Sequence, residues 1–277
     1  MPRRKSPAGI NKSFCTGRVW LLDAIGIYFV GTAGAGKTSL VGAFQRWLQL
    51  QGLDCVTVNL DPGAEHLPYS PEYDIREWLS LRKVMEDYGL GPNGAQIACA
   101  DIMAMRIGEI REILDSFKTP YLLIDTPGQL ELFAFRKSSR HVVENLTGER
   151  SALMFLLDPT LAKVPSGYIS QLMLAATVQF RFSLPIMNIL SKSDILTEDE
   201  LRVIRSWAND TYHLQAAAEG ELSGPLVQFN IEMFRALEAV GAFRNFYTVS
   251  SETLVGMEDV YQAVQNHFFG GEELTKD

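Results

Sequence analysis

The 277-residue sequence predicts an α/β fold: a mostly parallel central sheet flanked by helices, with a helical insertion. Short aliphatic or β-branched runs alternate with amphipathic stretches, the pattern of a parallel sheet wrapped by helices. Most of those runs end in glycine or a polar residue, so chemistry should gather at the C-terminal ends of the strands. A hydrophobic content of 47% over this length is ample for one large domain.

The first strand is "GIYFVG" (26 to 31), and it runs into a glycine-rich turn and a helix over 37 to 51. "CVTVNL" (55 to 60) is the second strand, followed by a helical, charged stretch over 72 to 88. "YGLGPNGAQ" (88 to 96) then places three turn formers in a row, Gly91, Pro92 and Asn93. Pro92 removes a donor and fixes φ, Gly91 and Gly94 permit conformations that a side chain forbids, and the local reading is a tight surface turn. A helix over 101 to 117, the strand "YLLID" (121 to 125), a helix over 131 to 147 and the strand "ALMFLLD" (152 to 158) come next. A helix over 166 to 182 leads to the strand "IMNILS" (186 to 191). Residues 197 to 243 are too many for a simple connection and contain "EDELRVIRSWAND" and "PLVQFNIEMFRALEAV", with a break near Gly224–Pro225, so they read as a helical insertion. "FYTVS" (246 to 250) and a helix over 256 to 268 complete the pattern. Residues 1–24 are expected to be a flexible extension and 25–277 one domain; the ending "GGEELTKD" points to a compact protein.

Charge and cysteine usage exclude several classes. The net charge is −8, and five basic residues with no acidic one fall within the first twenty positions, so the remainder carries −13. Such a body is a poor general nucleic-acid binder. Cys15, Cys55 and Cys99 lie about forty residues apart with no CxxC or Cys/His pair, which argues against a disulfide framework or a zinc site and fits a reducing cytoplasm. "VWLLDAIGIYFVG" is too short to span a membrane and is broken by Asp23. It also runs directly into a motif the mature protein needs, which argues against a cleaved signal.

"GTAGAGKTS" (31 to 39) follows an apolar strand and opens a helix, the context in which G-x-x-x-x-G-K-[ST] cradles phosphate. Gly31, Gly34 and Gly36 let the backbone curl, Lys37 brings charge to the β and γ oxygens, and Thr38 can ligate Mg2+. "LLIDTPGQLE" (122 to 131) puts Asp125 at the end of a buried strand, where it can hold Mg2+ through water. The Gly128 amide can sense a γ-phosphate, and Gln129 and Glu131 can orient an attacking water or the loop around it. "NILSKSD" (188 to 194) offers Lys192 along a base plane and Asp194 to its edge. Guanine presents N1–H and N2–H2 to one carboxylate, whereas adenine has an acceptor at N1; "VSSE" (249 to 252), with Ser250, brings backbone amides toward the guanine carbonyl. A helix N-cap at Ser193 or Asp194 is the alternative. "NLDPGAEHLPY" (59 to 69) adds Asp61, either a contact to the metal shell or hydrolytic water or an ordinary turn, with two prolines to stiffen the segment.

In this order, "GTAGAGKTS", "NLDPGAE", "YDIRE", "GPNGA", "DTPGQLE", "SKSD" and "VSS" resemble the GPN-loop GTPases of the SIMIBI class, over roughly residues 25 to 268. The resemblance implies a P-loop NTPase fold of SIMIBI type that binds GTP or GDP with Mg2+, as a homodimer or close heterodimer. It implies a role in the assembly of client protein complexes, RNA polymerase or its assembly factors among them; the acidic charge and the lack of a membrane-length apolar run argue against nucleic-acid and membrane partners. Carried over by position, phosphate binding falls on Gly34, Ala35, Gly36, Lys37, Thr38 and Ser39, and metal binding on Thr38 and Asp125. Water positioning falls on Asp61, Gln129 and Glu131, and base recognition on Lys192, Asp194 and Ser250. The family's Gly-Pro-Asn loop enters the partner subunit's site, which gives Asn93 a role in trans and a reason for stiffness at that turn. Ser191 stands where an Asn is common and Gly63 where Ala is usual; Thr32 stands where partitioning ATPases carry a second lysine.

Two other readings compete with a GTPase switch. An ATP-dependent kinase on the same scaffold needs an acceptor pocket, and Asp194 argues against adenine. A nucleotide-stabilised binding module needs no turnover at all.

Overall fold

The computed structural model describes residues 24–221, 225–242 and 246–270; of the extension expected over 1–24, only Ala24 is among them. Along the chain run β1 (Ile25–Gly31), α1 (Lys37–Leu50), β2 (Val56–Asn59), β3 (Tyr73–Asp74), α2 (Leu81–Tyr88), α3 (Pro92–Met105), α4 (Ile107–Asp115) and β4 (Tyr121–Asp125). After them come α5 (Leu130–Ala134), α6 (Lys137–Leu146), β5 (Ser151–Leu157), α7 (Pro159–Ala162), α8 (Pro165–Phe182) and β6 (Ile186–Leu190). Helices α9 (Glu198–Asn209), α10 (Thr211–Glu221) and α11 (Pro225–Ala239) precede β7 (Phe246–Thr248) and α12 (Met257–Phe269).

The strands form one sheet in the order β3-β2-β4-β1-β5-β6-β7, and each pairing among the described residues is parallel. Parallel strands need crossovers, and the crossover helices cover both faces of the sheet. This is why "IGIYFVG" and "SALMFLL" lack polar alternation: every residue of β1 and β5 is buried. Successive side chains still point to opposite faces. Ile25, Ile27 and Phe29 pack with Leu40, Phe44, Leu48, Val260 and Val264 of α1 and α12, whereas Tyr28 and Val30 join the larger core with Phe155, Leu172 and Trp207.

The site is positioned by one feature of this order. From β1 the chain moves outward to β2 and β3, returns to β4 beside β1, and then leaves through β5 on the other side. The loops leaving β1 and β4 therefore frame a crevice at the carboxyl ends of the strands. Asn59 and Phe29 both lie in register with Asp125, which brings the ends of β2, β4 and β1 together.

Local structure departs from expectation at four places. The stretch over 72 to 88 is not one helix: Tyr73 and Asp74 pair with β2, a single 3-10 turn spans Ile75–Glu77, and only then does α2 begin. The sheet's hydrogen bonds to Val58 and Asn59 outweigh the local helical pattern there. The two stretches expected as helices over 101 to 117 and 131 to 147 are each divided, at Arg106 and at Phe135–Arg136. Gly91-Pro92-Asn93 is a helix start rather than a turn: Gly91 is the N-cap and Pro92 occupies the first turn of α3, where its missing N–H removes no helical bond. The left-handed residue is Gly89 (φ 62°), which ends α2, not Gly91 or Gly94.

Between β6 and β7, α9 begins with a reciprocal capping box of Thr197 and Glu200, and Leu214, Ala218, Phe234 and Leu237 are buried in the larger core. Of the break expected near Gly224–Pro225, residues 222–224 lie outside the described residues, and α11 begins at Pro225. No helix among the described residues is long and apolar enough to cross a membrane.

Candidate functional site

The loop after β1 turns through Gly34 (φ 79°) and Gly36 (φ 92°), conformations that a Cβ strongly disfavours. Gly36 is the N-cap of α1 and supplies no side-chain cap, and no acidic residue lies in the first turn. The first-turn amides and the positive end of the helix dipole thus suit a phosphate. Ala35 is fully buried beneath the loop, Thr38 is half-buried and Ser39 is exposed.

Lys37 is only 5% exposed, and its Nζ donates to Gly31 O and Thr32 O at 2.9 Å and to Gly128 O at 3.4 Å. Burial pushes its ammonium below the usual lysine range, while Asp125 and Asp61 pull it back up. A phosphate group offers the same amine charged acceptors in place of neutral carbonyls.

Asp61 follows β2 and bridges two loops. Its Oδ1 accepts from the Gly63 amide at 2.9 Å and its Oδ2 from the Gly128 amide at 3.1 Å. Burial raises its carboxyl above the usual range, and the two amides, Lys37 and Arg76 offset part of that rise. Gly128 is therefore gripped from both sides, by Lys37 at its carbonyl and by Asp61 at its amide. A γ-phosphate that takes the Gly128 amide has to displace a carboxylate. The Asp61 loop is itself clamped: Asn59 Nδ2 donates to Asp74 Oδ1 at 2.9 Å, and Arg76 Nη2 pairs with Asp74 at 2.6 Å. Arg76 Nη1 also donates to Ala64 O at 2.8 Å. Burial alone would raise the Asp74 carboxyl, but hydrogen bonds from Arg76 and Asn59 hold it below the usual range.

Asp125 ends β4 and is 1% exposed. Tyr69 donates its hydroxyl to Oδ2 at 3.0 Å, whereas Oδ1 is buried with no hydrogen-bond partner. Burial pushes this carboxyl up to about 6, against the lowering influence of Thr38 and Tyr69 beside it, with Asp61 adding to the rise. Burial also raises the Tyr69 phenol, so it remains a proton donor. A buried carboxylate oxygen without a partner calls for an explanation, and a hydrated dication supplies one. Among the described residues no group of three His, Cys, Asp or Glu side chains is placed to hold a metal. Mg2+ needs no such group: it keeps several waters and takes one or two protein ligands together with phosphate oxygens. Thr38 and Asp125 fit that requirement.

At the other end of the loop, Lys192 is left-handed (φ 49°), and its Nζ donates to Gly34 O at 2.7 Å. Its stem passes 3.3 Å from the place of a Cβ on Gly36. Ser191, buried at 1% exposure, sets its Oγ 2.7 Å from Ala35 O and 3.0 Å from Leu157 O, tying this loop to the phosphate loop. Asp194 is exposed on the single turn Ser193–Ile195, and the Ser193 amide donates to Val249 O at 3.0 Å. Ser250 spends its own groups within its loop. Its amide donates to Val255 O at 3.1 Å, and its Oγ accepts from the Glu252 and Thr253 amides at 3.2 and 3.1 Å.

Three expected site residues have no side-chain hydrogen bond to any other part of the site among the described residues. Gln129 is the half-buried N-cap of α5 with no side-chain cap bond, Glu131 is exposed on that helix's first turn, and Asn93 is exposed on the first turn of α3. Two residues escaped sequence reasoning. Tyr69, which meets Asp125, was visible only as part of a proline-stiffened segment, and Gln96, beside Asp61 in the fold, carried no local signal.

Residues 29–269 match the family model described as "Conserved hypothetical ATP binding protein". The chain is 32% identical over 253 residues to the GPN-loop GTPase PAB0955 of Pyrococcus abyssi, covering 90% of this chain and 99% of that one. The apo crystal structure of that archaeal protein superposes with a TM-score of 0.79 at 30% identity, again over 90% and 99% of the two chains. GPN-loop GTPase 1 of Schizosaccharomyces pombe is 28% identical over 251 residues, covering 86% of this chain and 67% of that protein.

Proposed function

The chain belongs to the GPN-loop GTPase family, and from that premise we propose that it is a dimeric, Mg2+-dependent switch that hydrolyses GTP to assist assembly of a protein complex. It is a GTPase. The observation that carries the reading of its site is the double grip on Gly128, by Lys37 from the phosphate loop and Asp61 from the β2 loop, beside the uncapped start of α1.

The amides of the loop from Gly34 to Ser39 bind the phosphates, and Lys37 moves from loop carbonyls to phosphate oxygens. Thr38 and Asp125 would hold Mg2+, which when bound would supply positive charge beside the phosphates. Asp61, once displaced from the Gly128 amide, joins Gln129 and Glu131 in orienting the attacking water. Lys192 lies along the base, Asp194 accepts from its N1–H and N2–H2, and the Ser250 turn leaves the Ser251 amide for the guanine carbonyl. A second copy completes the site with Asn93. The clients are proteins, RNA polymerase or its assembly factors being those the family resemblance suggests. The net charge of −8 supports a role without nucleic acid. The free thiols Cys55 and Cys99 accord with a cytoplasmic setting.

The family description names ATP and the relatives' names say GTP; an aspartate at the base edge favours guanine. GTP is expected to bind well ahead of ATP, and Asp194→Asn to shift preference toward xanthosine nucleotides, because the new amide donates where xanthine offers an oxygen. Calorimetry with the three triphosphates is the check, and equal ATP and GTP affinity in the wild type would sink the guanine assignment. Turnover of GTP without any acceptor separates this reading from a kinase and from a binding module that never hydrolyses.

Gln129→Ala and Glu131→Ala are each expected to lower kcat about ten- to a thousandfold, about 1.4 to 4 kcal/mol, with nucleotide affinity nearly unchanged. Removing a water-positioning group raises the barrier and leaves the phosphate contacts in place. Wild-type hydrolysis by both variants would refute both roles.

A further inference from the structure

We propose that Tyr69 is a positioning residue of the cation site, holding one oxygen of Asp125 so that the other stays available to the metal's water shell. This rests on the reading of Thr38 and Asp125 as that site. The Tyr69 hydroxyl donates to Oδ2 at 3.0 Å, and Oδ1 is the buried oxygen that has no partner. A carboxylate anchored through one oxygen has its plane fixed, so the second oxygen points in one direction; outer partners commonly orient metal ligands in this way.

The ring's place is built into the fold. Tyr69 lies against α1 at Gly42, where a Cβ would come within 3.3 Å of both the Tyr69 Cβ and Cδ1 and 3.7 Å from Pro68 Cγ. Glycine weakens a helix interior relative to alanine, so a glycine at the centre of the 14-residue α1 calls for a packing reason, and the tyrosine supplies it. The contact wedges Tyr69 between α1, which opens with Lys37 and Thr38, and the end of β4. Tyr69 also belongs to the connection that carries Asp61, so the hydroxyl links the two acidic strand ends.

A purely structural tyrosine would affect nucleotide binding whether or not the metal is present. A positioning tyrosine affects only the metal-dependent part. Affinity for a fluorescent GDP analogue is therefore measured with Mg2+ and with EDTA in the wild type, in Tyr69→Phe and in Gly42→Val, which must move the ring while leaving its hydroxyl. In both variants the gain in affinity conferred by Mg2+ is expected to fall about 10- to 100-fold, with affinity in EDTA unchanged. A variant that keeps the full gain, or one that loses affinity equally in both buffers, overturns the role of Tyr69. A wild type that gains nothing from Mg2+ overturns the cation site itself, a result distinct from either.

Discussion

Lys37→Ala is expected to abolish GTP hydrolysis, by at least about a thousandfold or about 4 kcal/mol in the barrier. Two losses combine. Lys37 is the amine that reaches Gly128, the proposed γ-phosphate sensor, because its Nζ already sits 3.4 Å from Gly128 O while spanning back to Gly31 and Thr32. It is also the cation that opposes two buried carboxylates, Asp61 and Asp125, each of which feels its charge. Without it the crevice presents negative charge to a polyanion, and leaving buried charges without their partner typically costs about 3–5 kcal/mol of stability. Lys37→Arg keeps the charge but replaces a compact ammonium with a planar fork that three loop carbonyls do not fit, so it recovers activity only in part. Single-turnover hydrolysis and calorimetry, with circular dichroism to establish folding, make the check. A folded Lys37→Ala chain that hydrolyses GTP at the wild-type rate would remove the basis for the site.

Asn93→Ala, equally inactive alone, is expected to regain activity when mixed with Lys37→Ala. Asn93 is exposed on the first turn of α3, a helix whose start is stiffened by Pro92, and it makes no hydrogen bond to its own phosphate loop among the described residues. Such a residue is presented outward. In the proposed dimer, two-fold symmetry would make its contact reciprocal, so that each loop would serve one site and each site would receive one loop. In a mixed dimer the Asn93→Ala subunit keeps Lys37 and receives an intact Asn93 from its partner, so one of the two sites is whole. Free exchange of equal amounts places half of the chains in mixed dimers, and recovery should approach about a quarter of wild-type activity. If Asn93 served its own subunit, no site in the mixture would be whole. Mixed dimers verified by native mass spectrometry but without recovered hydrolysis would confine Asn93 to a helix start.

The sequence by itself determined the parallel sheet, the phosphate loop and the family. Those are local matters: β1 must be apolar throughout because both faces are covered, and a Gly-rich turn followed by Lys-Thr has one well-known use. The same local logic failed at Gly91-Pro92-Asn93, because a proline that stiffens a turn equally starts a helix, and the residues C-terminal to it decide between the two. It failed again over residues 72 to 88, where pairing with β2 turned a helical pattern into a strand and a 3-10 turn. Only the tertiary structure decided what Asp61 and Asp125 touch. Asp61 meets the Gly128 amide across 67 residues, and Tyr69 meets Asp125 across 56. No periodicity encodes such a contact, since it depends on how β2, β4 and α1 pack once the sheet has ordered their ends side by side.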